Sequence, residues 1–290
     1  MSLFFLQNFK NIRTLHLEHC DSLRSIPDMS SLQNLQDFSC SYCPALITFD
    51  DSIGMLGNLK ILKVSSCHDL KYIPLLKLAS LENLTLSDLD SIESLSPMLD
   101  ESLDKLKFLD VSWCEHLMYI PLLKLASLEK LTLSHLDSIE SLSPMLDESL
   151  DNLKFFDVRF CEHLMYIPLL KLASLEQLTL SHLSSIEVLS PMLVESLDNH
   201  KILEVIHCIH LIYIPPLKLA SLEILDLSYC ACLESFPPMV SQSMAKLKIL
   251  RLKGCKKLSN IPAINVASLD EFDHSGCESL EFPPLTDGRY

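Results

Sequence analysis

One short phrase recurs along this chain of 290 residues and constrains its fold more than any other feature. Aligned on its leucines, the sequence reads L-x-x-L-x-L-x-x-C/L-x-x-L-x-x-I/F/L twelve times, for example as "LKILKVSSCHDLKYIP" from Leu59. A phrase this short cannot bury a core alone, so it predicts an array in which each copy packs on its neighbours. The copies begin at Ile12, Leu35, Leu59, Leu81, Leu106, Leu128, Leu153, Leu175, His200, Leu222, Leu247 and Leu269.

The copies alternate in length. From Leu59 onward the spacings are 22 and 25 residues in turn, so a unit of two copies recurs every 47 residues. Residues 73–119 and 120–166 differ at only six of these 47 positions, which indicates tandem duplication. Since no linker or change of composition interrupts the array, we expect residues 1–290 to form a single domain.

Each copy combines a strand with a return segment. The inner hydrophobic residues of "LxxLxLxx" alternate with polar ones, which is the period of a β-strand. In the longer copies Ser96 is a suitable N-cap and Pro97 suits the first helical position. We therefore expect short helices at 97–104, 144–151 and 191–198. The returns of the shorter copies, "IPLLKLASLE", have weaker capping, and we expect them to be irregular or 3₁₀.

The phrase is the signature of the leucine-rich repeat. It predicts an α/β solenoid of horseshoe shape with about twelve repeats. A parallel β-sheet would line the concave side, and short helices and irregular returns would cover the convex side.

Composition excludes several classes of partner. A formal net charge of −15 argues against nucleic acid and against an anionic lipid surface, because both require clustered Lys and Arg. The apolar runs are far shorter than the ~20 residues that span a bilayer. The N-terminal "MSLFFLQNFK" does not resemble a secretion signal. We therefore expect a cytoplasmic or nuclear protein with reduced cysteines and no insertion into a membrane.

Nine of the eleven cysteines occupy a single position of the repeat. In the remaining three copies Leu89, Leu136 and Leu183 stand there, so the position is small, buried and apolar. Where Cys and Leu alternate, the thiols would lie two strands apart, roughly 9–10 Å, which is too far for a disulfide. The nine are Cys20, Cys43, Cys67, Cys114, Cys161, Cys208, Cys230, Cys255 and Cys277.

Possible metal ligands occur in two patterns. The pairs Cys114/His116, Cys161/His163 and Cys208/His210 recur, but a metal site needs three or four converging ligands. Here the Cys would point into the core and the His into a solvent-facing turn. Cys40 and Cys43 have the spacing of half a zinc site, yet both fall on core positions. We expect packing at all of these residues, with no metal and no cofactor.

No catalytic motif is present. The chain contains no GxxxxGK[ST], no GxSxG and no HExxH, and its five glycines cannot form a phosphate-binding loop. We therefore expect a protein that is not an enzyme.

The strand positions that face outward form columns of aromatic and acidic residues. Such residues side by side are typical of a binding patch. The alternative, that Phe and Ile stand there only because they favour strands, stays open. Histidines 135, 182 and 207 extend the column that follows the strand. The candidate partner-binding residues on the concave face are Phe108, Asp110, Trp113, Phe155, Asp157, Phe160, Glu204, Asp226 and Tyr229.

"LKFLDVSWCEHLMYIP" and "LEILDLSYCACLESFP" resemble the leucine-rich-repeat region of plant intracellular immune receptors, specifically the TIR-type nucleotide-binding leucine-rich-repeat disease resistance proteins. The ending C-x-x-L-x-x-I/F-P is the specific part, and the resemblance covers roughly residues 12–285. It implies a region that senses a pathogen effector or a guarded host protein and regulates a nucleotide-binding domain, which this chain lacks. The last copy, "CESLEFPP", departs from the pattern by one residue.

Two alternatives stay open. Leucine-rich repeats also occur in substrate-receptor adaptors of E3 ubiquitin ligases, although the eleven residues before the first repeat are too few for an F-box. The chain could also be a truncated, stand-alone paralogue of a receptor.

Overall fold

Successive copies of the phrase each contribute one strand to a single parallel sheet. The computed structural model describes residues 8–74, 78–95, 103–120, 125–142, 150–167, 172–189, 200–216, 221–238, 246–262 and 269–281. In order, the strands are β1 Thr14–Glu18, β2 Ser25–Ile26, β3 Asp37–Ser41, β4 Thr48–Phe49, β5 Ile61–Ser65, β6 Asn83–Ser87, β7 Phe108–Ser112, β8 Lys130–Ser134, β9 Phe155–Arg159, β10 Gln177–Ser181, β11 Ile202–Ile206, β12 Ile224–Asp226, β13 Ile249–Arg251 and β14 Glu271–Asp273.

The chain folds as a leucine-rich-repeat solenoid, as the sequence predicted. Twelve of the strands follow one another in chain order, and β2 and β4 form a separate pair. Equivalent residues of neighbouring copies stand directly opposite each other, as Leu109, Leu131 and Phe156 do. Since this register repeats along the sheet, every residue type of the phrase forms its own row across the molecule.

The inward rows form one continuous hydrophobic core. In β7 the burial alternates as the sequence predicted, with Leu109 and Val111 buried and Phe108 exposed. Leu128 and Leu131 of the next copy are fully buried as well. Truncating one of these leucines to Ala would cost about 2–5 kcal/mol, because the neighbouring copies cannot close the cavity.

The return segments are only partly described. The predicted helices at 97–104, 144–151 and 191–198 lie almost entirely outside the described residues, and the described ends, 103–104 and 150–151, are not helical. The described parts of the shorter returns are irregular. A 3₁₀ helix, Asp51–Met55, is capped by Asp50, whose carboxylate accepts the Ser52 backbone N–H. Among the described residues no helix has the length and apolarity that a membrane crossing needs.

The repeated cysteines belong to the core, as predicted. All eleven are unpaired thiols. Cys114 donates to the carbonyls of Ser112 and Leu86 at 3.4 and 4.0 Å, which satisfies its one polar hydrogen. Burial raises the pKa of the Cys114 and Cys161 thiols to about 12, so both stay protonated and unreactive. Outside the core, His116 and His163 are exposed in the turns that follow.

Candidate functional site

The residue just before the cysteine position of each copy, at or shortly after the end of the main strand, adopts an unusual backbone conformation. In all twelve copies this residue has a positive φ, between 50° and 75°, and only Gly254 and Gly276 among them are glycines. Its N–H still continues the sheet, as when Trp113 donates to Ser134 at 2.9 Å, and the chain then turns sharply inward. A left-handed conformation costs a residue with a side chain about 1 kcal/mol. Ten copies nevertheless keep a side chain there.

Six of these side chains form one unbroken stack of rings, which we call the aromatic ladder. The ring centroids of Trp113 and His135 lie 3.5 Å apart, and the next four separations are between 4.2 and 4.5 Å. Interplanar angles do not exceed 20°. Such pairs contribute about 0.5–1.5 kcal/mol each beyond burial, enough to offset the backbone strain. The ladder consists of Trp113, His135, Phe160, His182, His207 and Tyr229.

The ladder ends where the repeat supplies a residue without a ring. At one end the ring of Tyr229 covers Gly254, and a Cβ on that glycine would lie only 2.8 Å from the tyrosine Cδ1. The Lys253 ammonium lies 5.6 Å from the Tyr229 ring centroid, within reach of a cation–π contact. At the other end the equivalent position is Asp88, and Trp113 is 50 % exposed. Its indole is therefore open to a partner.

Two histidines of the ladder, His135 and His182, are shifted towards the neutral form. Burial between the neighbouring rings lowers the pKa of His135, although Asp137 and Glu115 oppose the shift. Burial also lowers the pKa of His182, and His207 and His135 lower it further. At these two positions the ladder therefore favours an apolar, polarizable edge over a cationic one.

The concave face carries the other predicted residues. Phe108 and Phe155 are 45 % and 41 % exposed, and Lys130 stands between them in the register. Asp110 and Asp157 flank Thr132 in the adjacent row. Burial raises the pKa of Asp110, and Asp157 contributes in the same direction. Ser112 and Lys130 oppose this rise in the pKa of Asp110, so a cation beside Asp110 favours its charged form.

Part of the predicted acidic column is already engaged. Glu204 accepts a hydrogen bond from Thr179 at 2.9 Å, and Arg159 pairs with Asp157 at 2.6 Å. Asp226 is only 6 % exposed. Its carboxylate accepts the Ser228 N–H at 2.9 Å and lies 3.5 Å from Arg251. The expectation that Asp226 faces a partner is corrected here, because its oxygens are held within the sheet.

A second ladder, at the N-terminal ends of the strands, was not predicted from the sequence. The residue after the first Leu of each copy alternates between Lys and Glu from Lys60 to Lys248. Neighbouring copies pair these charges at 2.7–3.7 Å. We call this row the charge ladder: Lys60, Glu82, Lys107, Glu129, Lys154, Glu176, Lys201, Glu223 and Lys248. The alternating spacing of 22 and 25 residues could have indicated this row, because copies with Lys alternate with copies with Glu in the same rhythm.

Two further groups of side chains could hold a ligand. An open, polar cavity of about 410 Å³ is lined by Lys71, Asp90, Ser91, Glu93, Ser94 and His116. Beside it, His68 Nδ1 lies 3.1 Å from an Asp90 carboxylate oxygen and 3.8 Å from an Asp88 carboxylate oxygen. In the core, the thiols of Cys40, Cys43 and Cys67 lie within 4.8 Å of one another.

No family model matches the chain. Among curated proteins it is similar to Protein SUPPRESSOR OF npr1-1, CONSTITUTIVE 1 of Arabidopsis thaliana, at 30% identity over 108 residues. The match covers 30% of this chain and 8% of that protein, so the chain spans a small part of its relative.

One solved structure supports the fold, and a second is reported for comparison. A leucine-rich-repeat protein of Leptospira interrogans matches with a TM-score of 0.50 and 20% identity, covering 96% of this chain and 79% of that one. The leucine-rich-repeat domain of the type III effector XopL matches with a TM-score of 0.42 and 21% identity, covering 97% and 75%. The fold, together with the exposed rings and carboxylates, indicates a surface for protein interaction.

Proposed function

We propose that this chain is a noncatalytic recognition domain of a plant innate immune receptor, of the TIR-type nucleotide-binding leucine-rich-repeat class. Its repeat ending resembles that class, and the partial similarity to an Arabidopsis protein supports a plant origin. In this proposal the domain senses a pathogen effector or a guarded host protein in the cytoplasm or the nucleus. It also regulates a nucleotide-binding domain of the same receptor.

The aromatic ladder is the observation that carries the proposal. Phe160 and its five stacked neighbours keep a strained backbone in successive copies, although glycine fits the position in two other copies. Sites of retained strain point to a role for the side chain. Rigid rings are also the side chains that anchor protein interfaces, because they bury a large area at little entropic cost.

The two ends of the strands present different surfaces to a partner. Along the charge ladder the charges are neutralised by neighbouring copies of the repeat, as Lys201 and Glu176 are at 2.7 Å. Along the aromatic ladder the rings stack face to face, and the ring of Trp113 is 50 % exposed. We therefore place the partner over the aromatic ladder and the adjoining concave face, between Phe108 and Tyr229.

Charge defines the chemistry of this partner. The chain carries a formal charge of −15, and Asp110 and Asp157 lie beside exposed phenylalanines. A protein with a basic surface and protruding apolar side chains fits this combination. Such a complex would form more slowly at high salt, because screening removes the steering.

A comparative pull-down from plant extract tests the proposal. One bait carries Trp113→Ala, Asp110→Lys and Asp157→Lys. The control bait carries Met165→Ala, Glu93→Lys and Glu140→Lys, which make the same change of charge at exposed positions later in the turn, where Glu140 lies beside Met165. Both baits are first checked for native secondary structure.

The expected result is a set of proteins that the wild type and the control bait capture and the first bait loses. If both variants retain the same proteins, or lose the same ones, the assignment of the surface fails. Co-purification of a nucleotide-binding domain with all three baits would place its contact elsewhere on the solenoid.

A further inference from the structure

Three buried thiols meet near the N-terminal end of the solenoid. The side chains of Cys40, Cys43 and Cys67 are fully buried, and their sulfur atoms lie within 4.8 Å of one another. Cys43 and Cys67 occupy the cysteine position of successive copies. Cys40 comes from strand β3 and points into the core beside them.

The repeat accounts for two of these thiols but not for the third. In the register of the sheet, Leu17 and Val64 flank Cys40. Every other described main strand from β1 to β11 holds Leu or Val at this inward position, and only β3 holds Cys. Core packing alone therefore does not explain why a polarizable thiol replaces an aliphatic side chain here.

A second run of cysteines provides an internal comparison. Cys208, Cys230, Cys255 and Cys277 also occupy the cysteine position of successive copies. The equivalent inward residues beside the first three are the aliphatic Val205, Leu227 and Leu252. Among the described residues, only the N-terminal run brings three cysteines together.

The spacing fits a three-coordinate metal ion. A metal–sulfur bond of about 2.3 Å, the value for zinc thiolates, places the sulfurs of a planar site about 4.0 Å apart. The observed limit of 4.8 Å requires only small rotations about the Cys side-chain torsions. Because zinc prefers four ligands, a site of three thiolates suits a softer ion, and Cu(I) is the first-row ion that thiolates select.

Metal binding at three thiols is coupled to pH. Each thiol that ligates a metal loses its proton to solvent. Binding would therefore strengthen as pH rises.

We propose that Cys40, Cys43 and Cys67 form a buried trithiolate site for Cu(I). This site is separate from the proposed recognition surface and does not depend on it. Occupancy would join β3 to the copies on either side and stabilise this end of the solenoid.

The test uses the full chain, loaded anaerobically with Cu(I) in excess glutathione, which removes the ion from single thiols. Cys40→Val and Cys40→Leu reproduce the residues that flank Cys40 in the register, so both are expected to fold. The controls are Cys161→Leu and Cys230→Leu. Cys161 is an isolated thiol at the cysteine position, between Leu136 and Leu183, and Cys230 belongs to the second run of cysteines. Bound copper is measured after gel filtration.

We expect the wild type and both controls to retain a single ion per chain, and the Cys40 variants to lose it. Equal retention by wild type and Cys40 variants would overturn the proposal, as would loss in Cys230→Leu alone. X-ray absorption at the copper edge decides the matter in the wild type without any variant. A shell of three sulfurs supports the site, and a shell of two contradicts it.

Discussion

The indole of Trp113 stacks on the imidazole of His135 with ring centroids 3.5 Å apart and an interplanar angle of 10°. This contact joins two copies of the repeat through residues that both have a positive φ. The sheet beneath holds the two backbones at a fixed spacing. The stack therefore couples a strained backbone to an exposed surface.

Replacing Trp113 separates these two effects. We expect Trp113→Ala to lower the free energy of unfolding by about 1 kcal/mol, because the stacked contact is lost and the strain remains. Trp113→Gly should be close to neutral, since the relief of strain offsets the lost contact. Urea unfolding measures both. A glycine variant less stable than the alanine variant would show that the strain argument is wrong.

Gly254 allows the end of the aromatic ladder to be tested. Gly254→Ala adds both backbone strain, at φ 71°, and a clash at 2.8 Å with Tyr229. We expect a loss of about 2 kcal/mol or more. Gly276→Ala is the matched control, because its φ is 75° but its nearest contact is an ordinary 3.5 Å. Equal losses in thermal or urea unfolding would mean that the Tyr229 ring contributes nothing.

His200 should make the solenoid sensitive to acid. It stands in the core where the other copies carry Leu or Ile, and its Nε2 has no hydrogen-bond partner among the described residues. Burial lowers its pKa from 6.5 to about 4, so the folded state binds fewer protons than the unfolded state between these values. Stability is therefore complete above pH 6.5 and falls as pH approaches 4, by about 3 kcal/mol in total.

The matched variant for this effect is His200→Leu, which restores the residue of the other copies. We expect it to remove most of the loss of stability across this range of pH. Denaturant unfolding above and below the range gives the answer. If the wild type and the variant lose stability in parallel, acid acts through other groups.

The charge ladder predicts a reciprocal effect. Lys154 pairs with Glu129 at 2.8 Å, so Lys154→Glu places like charges side by side and should lower the unfolding midpoint. Adding Glu129→Lys restores the pair in reverse and should recover part of the loss. Both differences should shrink as salt is added, because the groups are exposed. An unfolding midpoint that does not depend on salt would indicate that the variants lose packing rather than an ion pair.

The repeat predicts which residues form each row of the sheet, but it does not predict the contacts between neighbouring residues of a row. The spacing of the leucines places Phe108 and Phe155 on the exposed face and Cys114 in the core, and the structure agrees. These features depend on alternation within one strand, which the sequence shows directly. The aromatic ladder depends on contacts between residues 22 or 25 positions apart, and only the register brings those together.

Two differences show where reasoning from the repeat stops. Asp226 belongs to the exposed row, yet it is buried because Arg251 of the next copy lies over it. Cys40 packs in the core as its position predicts, but its proximity to Cys67 arises only in the folded chain. The residue types at both positions are visible in the sequence, but the contacts that they make are not.

Photo-crosslinking tests the central claim most directly, namely that recognition occurs on the face bearing the aromatic ladder. Benzoylphenylalanine is introduced in place of Phe155 in one protein and in place of Met165 in another. Both side chains are exposed, but only Phe155 lies on the proposed surface. The account predicts that the partner captured from plant extract crosslinks at position 155 and not at position 165. Crosslinking at 165 alone would contradict it.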